Sequence, residues 1–304
     1  MMDRLSFEKA ALERGFCRVF FLPPVRVPSS IPSLVTDPYS VMEDAKTVIL
    51  LIMAYAAGQP CGQKEGVISS YYPASNRAFK EARALADELR GEGCQAISNV
   101  QIPLKKYLCG YGLGSFGRNS LIAVDGVGSA FHVQAILTNA CFPYSTESYR
   151  DRDRFSDICA SCGLCVKACP TGAIGKNGMI DVSRCLRSVS EQEIIPEEFE
   201  KALDNRILGC DVCQSVCPRN ALAPKGQNLT VPLKALLNGE IEDLKAIIGT
   251  NYARKRRLRK KAAVVAANLG RRDLKPELML MSQSDDENER NAALRALQRL
   301  EDET

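Results

Sequence analysis

Cys159-Ala160-Ser161-Cys162-Gly163-Leu164-Cys165-Val166-Lys167-Ala168-Cys169-Pro170 is the stretch from which the rest of the chain is read. Its cysteines are separated by two, two and three residues and close on a Cys-Pro pair. A cubane of iron and sulfide needs soft thiolates converging from several directions, and a short loop containing Gly163 lets three sulfurs meet at one cluster. The fourth cysteine of such a loop ligates a second cluster. A second set is therefore required. It follows at Cys185 and in Cys210-Asp211-Val212-Cys213-Gln214-Ser215-Val216-Cys217-Pro218.

The spacing is that of bacterial ferredoxins, and it assigns Cys159, Cys162, Cys165 and Cys217 to one [4Fe–4S] cluster. Cys169, Cys185, Cys210 and Cys213 fall to the other. Structural zinc also accepts four thiolates. It does not account for the three-residue gaps, the two prolines and the complete set of eight ligands. The remaining cysteines, Cys17, Cys61, Cys94, Cys109 and Cys141, lack such spacing and read as small buried apolar residues.

Working outward, 304 residues at 45% hydrophobic and 25% charged allow two domains, or one domain with appendages. A net charge of +4 does not by itself indicate nucleic acid. Met1 to Phe16 mixes charged and apolar residues at helical spacing, unlike the apolar core of a signal peptide. The longest apolar run, Val48 to Ala57, is too short to cross a bilayer and reads as a buried strand. The expectation is a cytoplasmic protein with no membrane partner, where thiols stay reduced and crowded cysteines bind metal rather than form disulfides.

The pattern along the chain is mixed α/β. Pro23 to Pro38 is a loop, and Thr47 to Tyr55 a strand buried on both faces. Asn76 to Arg90 is a helix with Phe79, Ala82, Leu85, Ala86 and Leu89 on one face, and Cys94 to Val100 returns as a strand. Gly114 to Asn119 is a turn into the apolar run Ser120 to Val124, and Ala130 to Thr138 is a strand or helix that closes the first domain. Beyond the cysteines, Leu258 to Leu269 and Asn288 to Leu300 are alanine-rich amphipathic helices separated by Asp273 to Asp286. They form either one HEAT-like hairpin or a generic helical cap. A single hairpin cannot bury its apolar face alone, so it should pack on the cluster domain.

Gly112, Gly114 and Gly117 fit G-x-G-x-x-G, but Pro103 to Cys109 before them reads as helix and the acidic residue about 20 positions on is missing, which excludes a dinucleotide fold. The glycines form a plain turn, or they let backbone approach a flat or anionic ligand with Arg118 and Asn119 as donors. His132, the only histidine, is a metal ligand, a proton donor or a satisfied core residue. Seven basic residues, Arg254, Lys255, Arg256, Arg257, Arg259, Lys260 and Lys261, are interrupted only by Leu258. They read as a positive ridge that meets phosphates, or as a solvated helix face. An RNA-associated redox sensor would rest on this run alone.

Together these motifs resemble the cobalamin-dependent epoxyqueuosine reductase family, whose members reduce epoxyqueuosine in tRNA to queuosine. The resemblance runs through Asp37-Pro38, Ala45-Lys46-Thr47-Val48-Ile49, and Gly112-Leu113-Gly114-Ser115-Phe116-Gly117-Arg118-Asn119, with Arg118 where lysine is usual. It continues through Gly128-Ser129, Ile136-Leu137-Thr138, Cys169-Pro170-Thr171-Gly172-Ala173-Ile174, Asp181 to Cys185, Gly209 to Gln214, Gly249-Thr250 and Asn268-Leu269-Gly270. What it implies is an α/β + α protein in three parts. A nitroreductase-like cobalamin domain would occupy residues 1–150, a ferredoxin-like double [4Fe–4S] domain 151–228, and a short HEAT-like helical tail touching tRNA 229–304.

The resemblance also implies base-off cobalamin held near Gly112, Gly114, Gly117, Arg118, Asn119, Ser129 and Thr138, and an electron donor such as flavodoxin or ferredoxin. The chain departs from the family at two places. The general acid expected before a Pro-Leu pair is replaced in Asn99-Val100-Gln101-Ile102-Pro103-Leu104 by Val100, and Cys-Pro-Trp-Asn becomes Cys217-Pro218-Arg219-Asn220. Valine cannot transfer a proton. Tyr72, Tyr107 and His132 are the candidates for the missing acid. The alternative is an electron-transfer or corrinoid-binding paralogue without epoxyqueuosine activity.

Overall fold

The computed structural model describes residues 3–29, 31–58, 64–151, 156–175 and 178–302. The elements begin with α1 (Arg4–Glu13), β1 (Arg18–Leu22), β2 (Thr47–Ala54), β3 (Gly66–Ile68), α2 (Tyr71–Gly91), β4 (Ala96–Ser98) and α3 (Leu104–Gly110). They continue with β5 (Gly114–Phe116), β6 (Ile122–Val124), β7 (Phe131–Thr138), α4 (Ile158–Ser161), α5 (Leu164–Ala168), α6 (Leu186–Val189), α7 (Glu197–Leu203), β8 (Arg206–Leu208) and α8 (Val212–Ser215). The chain ends with β9 (Leu229–Val231), α9 (Leu233–Asn238), α10 (Glu242–Ile248), α11 (Lys255–Asn268), α12 (Lys275–Met281) and α13 (Glu287–Asp302). Two compact units result. One comprises Met1–Tyr55, Ala74–Cys162 and Pro218–Pro224; the other comprises Ala56–Pro73, Gly163–Cys217 and Lys225–Thr304.

The first unit is built on a sheet of order β1-β2-β7-β4, antiparallel throughout. Residues of β2 alternate between two apolar layers, as the two-residue period of a strand requires. Val48, Leu50 and Ile52 pack with Tyr107, Leu108, Ala135 and Leu137. Ile49, Leu51 and Met53 pack with Phe7, Ala11, Ala82, Leu85 and Ala86 of the helical side. This strand is hydrophobic on both faces because both are covered. The mixed α/β expectation holds, and Ala130 to Thr138 resolves as strand β7.

Three local expectations change. Phe79 is 46% exposed, and Ala78 takes its place on the buried face of α2; a helical face is broad enough for periodicity to admit either neighbour. Gly114–Phe116 is strand rather than turn, paired with β6, and the turn falls at Gly117–Leu121 with Gly117 N donating to Leu121 O at 2.8 Å. Of the cysteines expected to be buried, only Cys109 is; Cys17 and Cys94 are half-buried and Cys141 is exposed, while Cys61 lies outside the described residues.

In the second unit β3 pairs parallel with β8 and antiparallel with β9. An apolar cluster joins these strands to the helical tail through Ile68, Ile207, Leu233, Leu258, Ala262, Leu278 and Leu300. Val264 of α11 reaches a second cluster with Leu186, Phe199 and Leu203, so the tail does pack on the cysteine-bearing segment. The stretch from Asp273 to Asp286 is more than a separator, because it contains α12, seated through Leu278 and Met281. Among the described residues no helix is long and apolar enough to cross a membrane.

Candidate iron–sulfur site and the glycine hairpin

Each of the eight clustered cysteines is half-buried, neither sealed away nor fully exposed. Within the second unit, Gly163 takes a left-handed conformation (φ 70°) that turns the chain between Cys162 and Cys165. Helices α5 and α8 pack together, which brings the segment of Cys165 against that of Cys213. After Cys169 the backbone turns back on itself. Ala173 N donates to Cys169 Sγ at 3.3 Å, and Thr171 Oγ1 lies 3.7 Å from the same sulfur. Desolvation alone would raise this thiol, but the hydrogen bonds from Thr171, Ala173 and Ile174 outweigh it and hold Cys169 below its ordinary value. A thiolate stabilised by backbone donors is what an iron ligand requires.

The approach to Cys185 is built into the same turn. Arg184 donates to Thr171 O at 3.0 and 2.7 Å, and Asp181 N donates to Ala173 O at 2.8 Å. Burial raises the Cys210 thiol, with Cys185 close enough to add to the shift. The donor set thus fits a polynuclear iron–sulfur group in this segment. Next to Cys210, Asp211 is buried and its carboxyl is raised by that burial, against the opposing pull of Ser69, Arg187 and Arg206.

In the first unit the glycine segment forms the β5–β6 hairpin. Only Gly112, at φ 71°, has open space where a Cβ would stand. A Cβ on Gly114 would meet Ala123 O at 2.9 Å, and one on Gly117 would meet Asn119 Oδ1 at 2.8 Å and Cys159 Sγ at 3.7 Å. Arg118 Nη2 donates to Ala160 O at 2.7 Å. Asn119 is buried, its Oδ1 accepting from Leu121 N at 3.3 Å. Ser129 N donates to Asn220 Oδ1 at 2.6 Å. Thr138 is buried at the far end of β7, donating to Gln95 O at 2.6 Å and accepting from Ala140 N at 3.1 Å. An eight-residue strand rises roughly 25 Å, so Thr138 does not share a site with Ser129.

The acid candidates are not brought together. Tyr72 is fully buried in the second unit and donates to Glu191 Oε1 at 2.8 Å; burial holds its phenol well above the ordinary range. Tyr107 is fully buried in the first unit and donates to Val25 O at 2.7 Å, and burial raises it too. His132 is half-buried, with its Nε2 2.9 Å from the carboxamide nitrogen of Gln134. Val100 is 8% exposed and packs with Leu108, Ile102 and Leu137 in the apolar layer beneath the sheet.

The basic run is not a continuous ridge. Arg257, Lys260 and Lys261 are buried. Arg257 donates to Glu191 O at 3.1 Å and to Tyr252 O at 2.6 Å, Arg259 to Leu237 O at 2.8 Å and Glu289 Oε2 at 2.5 Å, and Lys261 to Ser190 O. Arg254, Lys255 and Arg256 alone are exposed. A helix places consecutive residues 100° apart, so eight positions cannot share one face. Sequence reasoning missed Arg219, whose contacts appear only when distant segments meet: Nη1 donates to Ser115 O at 3.0 Å, and Nη2 to Ser115 Oγ at 2.7 Å and Ala123 O at 3.2 Å.

Residues 158–220 match the family model of the 4Fe-4S double cluster binding domain. An epoxyqueuosine reductase of Cyclobacterium marinum is 29% identical over 196 residues, covering 60% of this chain and 61% of that protein. One of Aliivibrio fischeri is 40% identical over 111 residues, covering 36% and 28%. The chain thus spans less than two thirds of the length of these curated relatives. A crystal structure of epoxyqueuosine reductase with an epoxyqueuosine-modified tRNA-Tyr stem loop superposes with a TM-score of 0.76 over 98% of this chain and 90% of that one, at 21% identity, a likeness of fold. In sequence over part of its length and in fold over nearly all of it, the chain is similar to the epoxyqueuosine reductases, and residues 158–220 carry their kind of double-cluster domain.

Proposed function

We propose that the chain is a two-cluster iron–sulfur reductase of the epoxyqueuosine reductase type, acting on epoxyqueuosine in tRNA or on a related electrophile. The observation that carries this reading is the set of eight cysteines within 158–220, with a sulfur-directed backbone donor already in place at Cys169. Cys159, Cys162, Cys165 and Cys217 would hold one cluster, and Cys169, Cys185, Cys210 and Cys213 the other. When bound, the clusters supply electrons one at a time. Opening an epoxide to an alkene breaks two C–O bonds, takes two electrons and two protons, and releases the oxygen as water.

The three-part division belongs to the same reading: nitroreductase-like 1–150, ferredoxin-like 151–228 and HEAT-like 229–304. The relative solved with a modified tRNA stem loop supports tRNA as the substrate class. Arg254, Lys255 and Arg256 are the exposed cations of the basic run that would meet its phosphates. A flavodoxin or ferredoxin supplies the electrons, and the compartment is the cytoplasm.

Cobalamin rests on the family resemblance alone. The residues assigned to it do not form a vacant cradle: Gly114 and Gly117 are closed by the hairpin's own atoms, Arg118 and Ser129 are engaged by Ala160 and Asn220, and Thr138 lies at the other end of β7. Gly112 alone keeps open space. These residues therefore do not fit a corrin, and no step is routed through cobalt. A second reading, an electron-transfer paralogue without its own epoxide chemistry, is favoured by Val100, whose side chain belongs to the apolar layer and provides no proton.

The test is anaerobic reconstitution of the full chain with iron and sulfide, followed by incubation with epoxyqueuosine-containing stem loop and a low-potential donor. Formation of queuosine supports the reductase. Two clusters with no product support the paralogue, and a chain that takes up no cluster overturns both. Titration with cobalamin, read as a base-off Co(II) signal, decides the corrin separately.

A further inference from the structure

We propose that the β5–β6 glycine hairpin positions the first cluster, with Arg118 and Arg219 as its two positioning residues. The inference rests on the two-cluster reading above. It follows from what the hairpin touches within the first unit. On one side it is tied to the segment carrying Cys159 and Cys162. Ser156 N donates to Phe116 O at 3.0 Å, and Arg118 Nη2 donates to Ala160 O, the carbonyl between the two cysteines, at 2.7 Å. A Cβ on Gly117 would stand in ordinary van der Waals contact with Cys159 Sγ, at 3.7 Å, so the hairpin backbone neighbours that ligand.

On the other side the hairpin is tied to the residues that follow Cys217. Arg219 spans both strands, reaching Ser115 O and Oγ on β5 and Ala123 O on β6. Asn220 Oδ1 accepts from Ser129 N just beyond. Two segments that flank three of the four cysteines assigned to the first cluster thus grip one small hairpin. A planar guanidinium with several donors in a fixed fork fixes such a junction in a way an ammonium cannot. Ligand sulfurs held by the groups behind them bind metal more tightly than sulfurs on loose loops. The glycine segment therefore acts as the floor under the two first-unit segments that lead into the first cluster, Ser156 to Cys162 and Pro218 to Asn220.

Full-length wild type and the variants Arg118→Ala, Arg219→Ala and Arg219→Lys are reconstituted anaerobically. Iron content, the electron paramagnetic resonance of the reduced protein and hydrogen exchange of amides 114–124 are then measured. Wild type should hold two clusters, with hairpin amides that exchange more slowly once loaded. Each alanine variant should lose half the iron and retain the signal of the second cluster, with hairpin exchange at the unloaded rate. Arg219→Lys should behave like Arg219→Ala. Full iron with unchanged spectra in both alanine variants overturns the inference, as does full recovery by lysine or simultaneous loss of both clusters. Ser115→Ala, which removes one acceptor and leaves the backbone bonds, should loosen the hairpin with less iron lost; no change in exchange counts against the positioning role. A wild type that takes up no cluster overturns the two-cluster reading itself, and this inference with it.

Discussion

Arg219 Nη2 lies 2.7 Å from Ser115 Oγ, joining a residue two places beyond the last cluster cysteine to the first strand of the glycine hairpin. The bond occupies a position where the family resemblance expects tryptophan, so the departure in sequence coincides with a specific polar contact. The neighbouring residue extends the junction, with Asn220 against Gly128 and Ser129.

Gly128 sits at φ 83° with Asn220 Oδ1 and the Arg219 carbonyl where a Cβ would be. Gly128→Ala should cost about 2 kcal/mol, from backbone strain and from displacement of Asn220. Chemical denaturation of the full chain measures it. Gly112→Ala, also at positive φ but facing open space, should cost only about 1 kcal/mol.

The crossed ligand assignment predicts which cysteines behave alike. Cys217→Ser and Cys159→Ser should abolish the same spectroscopic signal, and Cys169→Ser and Cys210→Ser the other. If Cys217→Ser instead pairs with Cys210→Ser, the two four-cysteine motifs each hold their own cluster and the crossing is wrong. Electron paramagnetic resonance of the four reduced single variants distinguishes the outcomes.

Restoring the family's acid should fail on packing grounds. Val100→Asp places a carboxyl among Leu108, Ile102 and Leu137, at a cost of about 3 kcal/mol, and the carboxyl should titrate above its ordinary range. Val100→Asn should be nearly as costly. An aspartate variant as stable as wild type would mean that this side chain leaves the apolar layer in solution.

Burial holds Lys261 well below the ordinary lysine value, with Arg257 next in effect. Between the lowered folded value and the ordinary one, the unfolded chain carries a proton that the folded chain lacks. Stability from this site therefore rises with pH across that window and is lost below it. Lys261→Met should gain on wild type at pH 7. At pH 10 it should lose to wild type by about 1 kcal/mol, because the bond to Ser190 O is gone. Thermal midpoints of both proteins at the two pH values provide the comparison.

The basic run separates into outward and inward charges. Reversing Arg254, Lys255 and Arg256 together to glutamate should weaken stem-loop binding several-fold and flatten its salt dependence, while stability changes little. Glu289→Ala, which leaves Arg259 without its carboxylate, should instead cost about 3 kcal/mol and leave RNA contact intact. Filter binding at two salt concentrations, beside denaturation curves, separates the two classes.

Much was legible from local pattern. The cysteine spacing depends on loop geometry over a dozen residues, and such geometry is written in consecutive positions. Strand β2 announced itself because both its faces are covered, and α11 and α13 because an amphipathic period survives any context. What sequence alone could not decide is where a side chain ends up when several directions are open to it. Phe79 and Ala78 are adjacent on a helix, and packing chose the smaller. The seven cations look alike in a string, yet Arg257, Arg259, Lys260 and Lys261 turn inward toward carbonyls and carboxylates supplied by segments up to 71 residues away, while Arg254 and Arg256 pair with Glu193, Asp285 and Asp286 and stay exposed. The glycine hairpin is the sharpest case. Its glycines are visible in the sequence, but the atoms that crowd them, Ala123 O at Gly114, Asn119 Oδ1 at Gly117 and Asn220 at the following Gly128, take their places only once the hairpin has closed and the distant 218–220 segment has packed against it, because folded contact rather than composition sets what a missing side chain makes room for.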